Sequence, residues 1–566
     1  MYTNTNTLTR GDFKLNNLLS NLAEEIEKLT LELVNIPSIN GSEGERNVSN
    51  KIYEYIKNIE YFKKHGQYCF QVPLIKDPYG RMNVFALLRG EKKPSNKTII
   101  LHGHMDTVGV DDFGSLSELA FYPDKLEEKL KELDLPEEVK KDLNSGDWIF
   151  GRGAADMKSG VAVHLAVLKE LSENVENFSG NILFMSNPVE ENQHTGVIES
   201  LDILNDLKRK YGLDYKLAIN NDYICPLYPG DNKKYVYTGT VGKILPSFYI
   251  AGQETHVGQC FEGLNPNQIA SELIKDINLN TDLCDGYKGE YTLPPSVLKY
   301  EDLKKNYNVQ TPFAAFTYFN YFIHDASINE IIEKLKIISK ESFDKVILNV
   351  NDNYKKFCKI ANQKYEPLPW KTNVMTYSEL YKKVKSKYGH KLDDEINGLS
   401  KTLLDQGMDI REVCLNVVDK LWKMNREKKP AIVLFFAPPY CPHNTLKDEN
   451  EFENSIIEKI KKCVNTVGKE NNEDFEVLQF FPSLSDSSYL KIDDDLNSIE
   501  NLKNNLPNWA EIYNIPVNEM KKLNIPAINY GCYGKDAHKW TERVYKPYSF
   551  NTLPKLISST VYEFLK

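Results

Sequence analysis

The sequence predicts an α/β domain with a mixed, largely parallel sheet, interrupted by a second domain of α+β type. Short apolar runs alternate with amphipathic helical segments over roughly the first 240 residues. That alternation stops after Thr238-Gly-Thr-Val-Gly242 and resumes close to residue 447. Residues able to ligate a metal or move a proton stand at, or just beyond, the ends of the apolar runs, where open α/β sheets bind their ligands.

Leu18 to Val34 carries apolar residues at helical spacing, as does Val48 to Tyr61 after the loop Ser38-Ile-Asn-Gly-Ser-Glu-Gly44. Asn83–Leu88, Thr98–Leu101, Asn181–Met185 and Tyr215–Ile219 are short apolar runs, the pattern of strands covered on both faces. A helix is expected over Met157–Leu171. Ser115–Asp147 is charged, contains a surface helix around Asp124–Leu133, and reads as an insertion beside the first ligand cluster. From Leu245 the order changes to a strand (Leu245–Ile250), a helix (Asn265–Leu279), a strand (Phe313–Ile323) and a helix (Asn329–Ser339). A Lys- and Tyr-rich helical region from Glu341 to Lys429 and a closing strand, Ala431–Phe436, follow. A helix at Glu451–Val464 and strands near Phe475–Phe480 and Ile525–Tyr530 then complete the first sheet. The expected domains are therefore 1–243 together with 447–566, and an inserted 244–446.

At 566 residues the chain exceeds what one core usually supports. Its net charge of -10, with Lys and Asp/Glu intermixed, argues against nucleic-acid binding, which concentrates positive charge. Nine cysteines occur singly with no Cys-x-x-Cys pair, so neither a thiolate zinc site nor a disulfide scaffold is expected, and a reducing cytoplasm fits. The polar start Met1-Tyr-Thr-Asn-Thr-Asn-Thr-Leu8 lacks a signal pattern, and no apolar stretch approaches the ~20 residues needed to span a bilayer. A soluble intracellular protein without membrane or nucleic-acid partners is expected.

Five clusters carry chemistry. Ile99-Ile-Leu-His-Gly-His-Met-Asp-Thr-Val108 ends an apolar run on His104-x-Asp106, where His104 can ligate a metal and Asp106 can fix its tautomer. Alone, such a pair also arises by chance at a strand end. Gly151-Arg-Gly-Ala-Ala-Asp156-Met-Lys-Ser-Gly160 places a carboxylate at a glycine-rich helix entry, where it can bridge two cations or simply cap the helix. Pro188-Val-Glu190-Glu191 sets two carboxylates side by side; if buried, they need cations or a proton-transfer task, whereas in an exposed loop they need neither. Asn220-Asn-Asp222 offers another oxygen ligand or a solvent turn. Gly531-Cys-Tyr-Gly-Lys-Asp-Ala-His538 supplies a histidine on a glycine-bearing loop, with Glu542 beyond it. Imidazole and carboxylate are the donors a hydrolytic zinc-like ion prefers.

Together these clusters resemble the M20 metallopeptidases, which include aminoacylases, carboxypeptidases, desuccinylases and tripeptidases. The match also includes Gly252-x-x-x-His256 and Gly263-x-Asn265, with the motifs in the family's order along most of the chain. Within the family the chain is similar to the arginine-utilisation, RocB-like branch, through its long second domain, Thr238–Lys243, Phe436-Ala-Pro-Pro-Tyr440 and Ser485-Asp-Ser-Ser-Tyr489.

The resemblance implies a zinc-exopeptidase-like catalytic domain and an inserted lid or dimerisation domain. It implies two divalent ions, zinc first, with cobalt or manganese as alternatives. Asp156 would bridge them, His104 and Asp222 would complete one site, and Glu191 and His538 the other. Glu190 would be the general base, Asp106 a catalytic partner of His104, and His256, delivered by closure or by the second subunit of a homodimer, an oxyanion donor. Asn265 and Asp486 are the expected substrate-binding residues.

Departures from the family pattern bear on substrate. Val189 precedes the glutamate pair where many members carry an acid. Asp222 lies in Asn-Asn-Asp where many relatives have Glu-Pro. Phe319-Asn-Tyr-Phe322 replaces the usual Asp-x-Arg, removing the arginine suited to a substrate carboxylate. His164 is expected in the core, and His194 either behind the site or in a plain loop. The expected activity is hydrolysis of an amide bond in a small peptide or N-acyl amino acid, within arginine or amino-acid catabolism. The alternatives are hydrolysis of a non-peptide C–N bond and a regulatory binding protein on the same fold.

Overall fold

The computed structural model describes residues 22–566. They divide into two compact units: one comprises the described residues up to Thr240, Asn444–Ile492 and Pro516–Lys566, the other Val241–His443 and Asp493–Ile515.

The first unit is built on a sheet of eight strands: β1 (Cys69–Pro73), β2 (Met82–Arg89), β3 (Lys97–His104), β4 (Asn181–Asn187), β5 (Asp214–Asn220), β6 (Lys234–Tyr237), β7 (Phe475–Leu478) and β8 (Ala527–Asn529). Their spatial order is β1-β2-β4-β3-β5-β8-β6-β7. β4, β3, β5 and β8 are mutually parallel, and β2 and β6 run antiparallel on either side, so the sheet is mixed with a parallel centre. β3, β4 and β5 are almost wholly buried, which is why they read as unbroken apolar runs. Register sets His104 opposite Asn187, and His102 opposite Asn220. The segments after β3, β4, β5 and β8 thus leave the sheet at one edge.

Helices α1 (Leu22–Val34), α2 (Gly44–Lys57), α3 (Ser159–Ser172), α4 (Thr195–Tyr211), α5 (Glu451–Asn471) and α6 (Leu553–Phe564) cover this sheet. The helix expected from Leu18 is described from Leu22; its first residues lie outside the described part. α3 packs on α1, α6 and β3, and its apolar face joins one core with β3 and β4. The charged stretch before Trp148 holds two helices, Pro123–Leu130 and Glu137–Ser145. A small antiparallel sheet pairs Trp148–Phe150 with Arg543–Tyr545, and the latter with Gly534–Lys535.

The second unit has a five-stranded sheet in the order Ser296–Asp302, Ala314–Ile323, Gly242–Ala251, Ala431–Cys441, Val374–Thr376, antiparallel except for the last pair. The helix expected to end near Ser339 continues as Ile328–Ile360, opened by a capping box of Ser327 and Glu330. Tyr377–Tyr388, Lys391–Asp405 and Ile410–Met424 fill the Lys-rich region. Residues 493–515, expected in the first domain, belong here instead. Tyr440 donates to Asp494 at 2.9 Å, and Asn505 accepts from the Ser378 amide at 3.0 Å. Among the described residues no helix is long and apolar enough to cross a membrane.

Candidate metal centre

Four loops at the carboxyl edge of the parallel strands bring the predicted ligands together. β3 ends on His104, which is 2 % exposed. The small sheet then does what no local pattern announces: pairing Phe150 with Arg543 lays the loop after Phe150 beside the loop before Arg543, joining Asp156 to His538. His104 Nε2 lies 3.1 Å from Asp156 Oδ1, and His538 Nε2 lies 3.1 Å from Asp156 Oδ2. Glu191 Oε1 is 3.2 Å from His538 Nε2. One donor atom each of His104, Asp156 and Glu191 falls within a 4.8 Å cluster. Asp222 is buried at the end of β5, its backbone amide donating to Asn529 Oδ1 at 2.9 Å. Close approach of its segment to the loop after β8 requires Gly531, since a Cβ there would come within 2.0 Å of the Asp222 carbonyl oxygen.

Asp106 sits behind His104 and organises the acid pair. It accepts backbone hydrogen bonds from Glu190 at 3.0 Å and Glu191 at 3.1 Å, and one from Asn40 Nδ2 at 3.0 Å. Its carboxylate is 3.6 Å from His104 Nδ1, while its own carbonyl oxygen meets that nitrogen at 3.1 Å. Glu190 Oε2 is 3.9 Å from His104 Nε2, so the residue expected to be the base faces the ligand cluster.

The electrostatics are those of an anionic pocket in search of positive charge. Burial, reinforced by Asp156, pushes the Glu191 carboxyl up and the Asp222 carboxyl well above its usual range. Burial does the same to Glu190. Burial alone would lower the imidazoles, yet the surrounding carboxylates hold His104 well above its ordinary value and raise His538 to about 11. Asp156, flanked by both imidazoles, is held low despite its burial. Imidazole and carboxylate donors crowded this closely fit a pair of divalent cations of borderline hardness.

The chain matches the model of peptidase family M20/M25/M40 over residues 100–467. This protein belongs to peptidase family M20. It is 40% identical to Protein RocB of Bacillus subtilis (strain 168) over 546 residues, 96% of either chain. The M20 chain shares its fold with solved structures at low sequence identity. Against aminopeptidase PepT of Bacillus cereus the TM-score is 0.52 at 13% identity, covering 96% of this chain and 99% of that one. Against human carnosine dipeptidase 1 it is 0.53 at 11% identity, covering 98% of both.

As an M20-type hydrolase the chain also uses residues to which the sequence assigned no role. Glu542 is buried, accepts the amides of Ala155 and Asp156 at 3.1 and 3.2 Å, and binds Arg152 Nη1 at 2.7 Å, so it fixes the loop carrying Asp156. Glu45 Oε1 accepts the Val189 amide at 3.1 Å. Their partners are far away in sequence, and only the motif spacing around Glu542 hinted at either. His194 is buried behind Glu190 and pairs with Asp486 at 2.9 Å; Asp486, expected to contact substrate, is 2 % exposed and turns its carboxylate to that imidazole. His164 is a core residue, but neither ring nitrogen has a hydrogen-bond partner among the described residues, and burial lowers its pKa to about 3. His256 and Asn265 lie in the second unit. His256 is exposed and accepts the Gly258 amide on Nδ1 at 3.0 Å, while Asn265 caps the helix Pro266–Ile277 through Oδ1.

Proposed function

We propose that this M20 hydrolase cleaves an amide bond in a small peptide or N-acyl amino acid with two divalent ions, zinc in the first instance. The single observation that supports this most directly is Asp156, whose two carboxylate oxygens each face a different imidazole at 3.1 Å. Such a carboxylate would be shared between two cations, His104 and Asp222 helping to hold one and Glu191 and His538 the other. Bound there, the ions would supply Lewis acidity to the scissile carbonyl and to the attacking water.

The chain's own residues do the rest. Glu190, held beside the cluster by the Asp106 contact to its backbone, takes the proton from water and returns it to the leaving nitrogen. Asp106 orients His104. By the family resemblance His256 would serve the oxyanion and Asn265 the substrate. The protein works in the cytoplasm, and its likeness to the RocB-like branch supports a place in arginine or amino-acid catabolism.

Metal analysis of the wild type and of Asp156→Ala/His538→Ala tests the centre: about two ions per chain, falling sharply in the variant, is the expected result. Screening dipeptides and N-acetyl amino acids then tests the bond class. A second reading, hydrolysis of a carbamoyl or amidine C–N bond in a substrate without a free carboxylate, is favoured by the lack of arginine in Phe319–Phe322. Turnover of N-carbamoyl amines in preference to dipeptides would select it.

A further inference from the structure

Beside Glu190, whose other carboxylate oxygen faces His104, lies a second polar cluster around His194 and Asp486 that the proposed two-ion centre does not use. The loop 188–194 that presents Glu190 and Glu191 is an unusual piece of backbone: Val189 has φ 72° and His194 φ 56°. A β-branched residue in the left-handed region persists only where its surroundings over-determine it. The near end of the loop is tied by carboxylates, Glu45 to the Val189 amide and Asp106 to the two amides that follow. The turn is closed by the His194 amide donating to Val189 O at 2.8 Å.

The far end is tied through the His194 ring. Nδ1 donates to Asp486 Oδ1 at 2.9 Å and lies 3.9 Å from Glu190 Oε1. The ring packs against Tyr489 with centroids 5.3 Å apart. Asp486 Oδ2 faces His102 Nε2 at 3.8 Å, beyond hydrogen-bond distance. His102 meets Asn187 at 3.0 Å, and Asn187 donates to Asn83 at 2.8 Å and Ser200 at 2.7 Å. The adjacent Ser485 accepts from Asn220 at 2.9 Å. The cluster is therefore built into β2, β3, β4 and β5, and its histidine and aspartate are 1 % and 2 % exposed.

We propose that His194 and Asp486 are positioning residues for Glu190: a buried imidazole–carboxylate pair that locks the loop 188–194 to the sheet and sets where the base stands. This rests on Glu190 being the base. Asparagine at 194 offers an amide N–H near the place of Nδ1, whereas alanine leaves Asp486 buried without its donor.

The test compares metal-loaded wild type, His194→Ala, His194→Asn and Asp486→Ala. Hydrogen exchange of the peptide spanning 188–194 is followed alongside turnover of a dipeptide and N-acetyl amino-acid panel. The expected result is exchange faster by about tenfold or more in the alanine variants. It is accompanied by a kcat loss of roughly 10–100-fold at near-constant KM, with both effects largely reversed in His194→Asn. Unchanged exchange in both alanine variants would overturn the proposal. So would a KM-only effect, or a third ion per chain that disappears in His194→Ala, which would make the pair ligands instead. If wild type turns over no member of the panel while the exchange pattern appears as expected, the hydrolase reading fails and the locking of the loop stands.

Discussion

On the proposed roles, Glu190 moves protons and Asp156 holds charge, and substitutions separate the two tasks. Glu190→Gln keeps the shape and removes the base; kcat is expected to fall by roughly 10²–10⁴-fold while metal content is unchanged, measured by steady-state kinetics beside elemental analysis. Asp156→Ala is expected to lose both ions and all turnover. Glu542 offers a test by pH in the metal-free protein. Burial raises its pKa from the usual 4.5 to about 7, so the folded state binds a proton that the unfolded state releases. Its stabilising share is therefore complete below pH 4.5 and is lost as the pH rises through 7. Urea midpoints taken from pH 5 to 8 are expected to decline more steeply in wild type than in Glu542→Gln.

At the scale of elements, the site is a product of strand ends and one small sheet. Gly531→Ala drives a Cβ to 2.0 Å from the Asp222 carbonyl oxygen. The loop after β8 must then shift away from Asp222; a loss of about 1–3 kcal/mol in unfolding free energy and weakened binding of one ion are expected, read by denaturation and metal titration. The strands that carry the site were legible because burial on both faces leaves them apolar, and their ends because ligand chemistry demands His, Asp and Glu there. Other elements hid for definite reasons. β1 is mostly half-exposed and β6 begins with a lysine, so neither shows an unbroken apolar run. The helix Ile328–Ile360 outruns its forecast because its outer turns bury little and its apolar spacing fades. Glu45 was not legible as part of the site, because its partner Val189 lies 144 residues away in sequence; His194 was left between a place behind the site and a plain loop, because its partner Asp486 lies 292 residues away.

For the whole molecule, the proposed donors, drawn from residues 104, 156, 191, 222 and 538, would make metal binding a tie between distant parts of one unit. Ions that bind the folded chain alone raise its stability by mass action. Chelation is expected to lower Tm by several degrees and re-addition to restore it, as seen by calorimetry. The contact between His538 and Glu191 spans 347 residues, and the chain makes its excursion through the second unit between them. During synthesis, then, a nascent chain that has already emerged with His104, Asp156 and both glutamates still lacks the partner that closes the centre. Until the segment carrying β8 and His538 has followed, the acidic pocket has an incomplete ligand set and the sheet lacks the strand between β5 and β6.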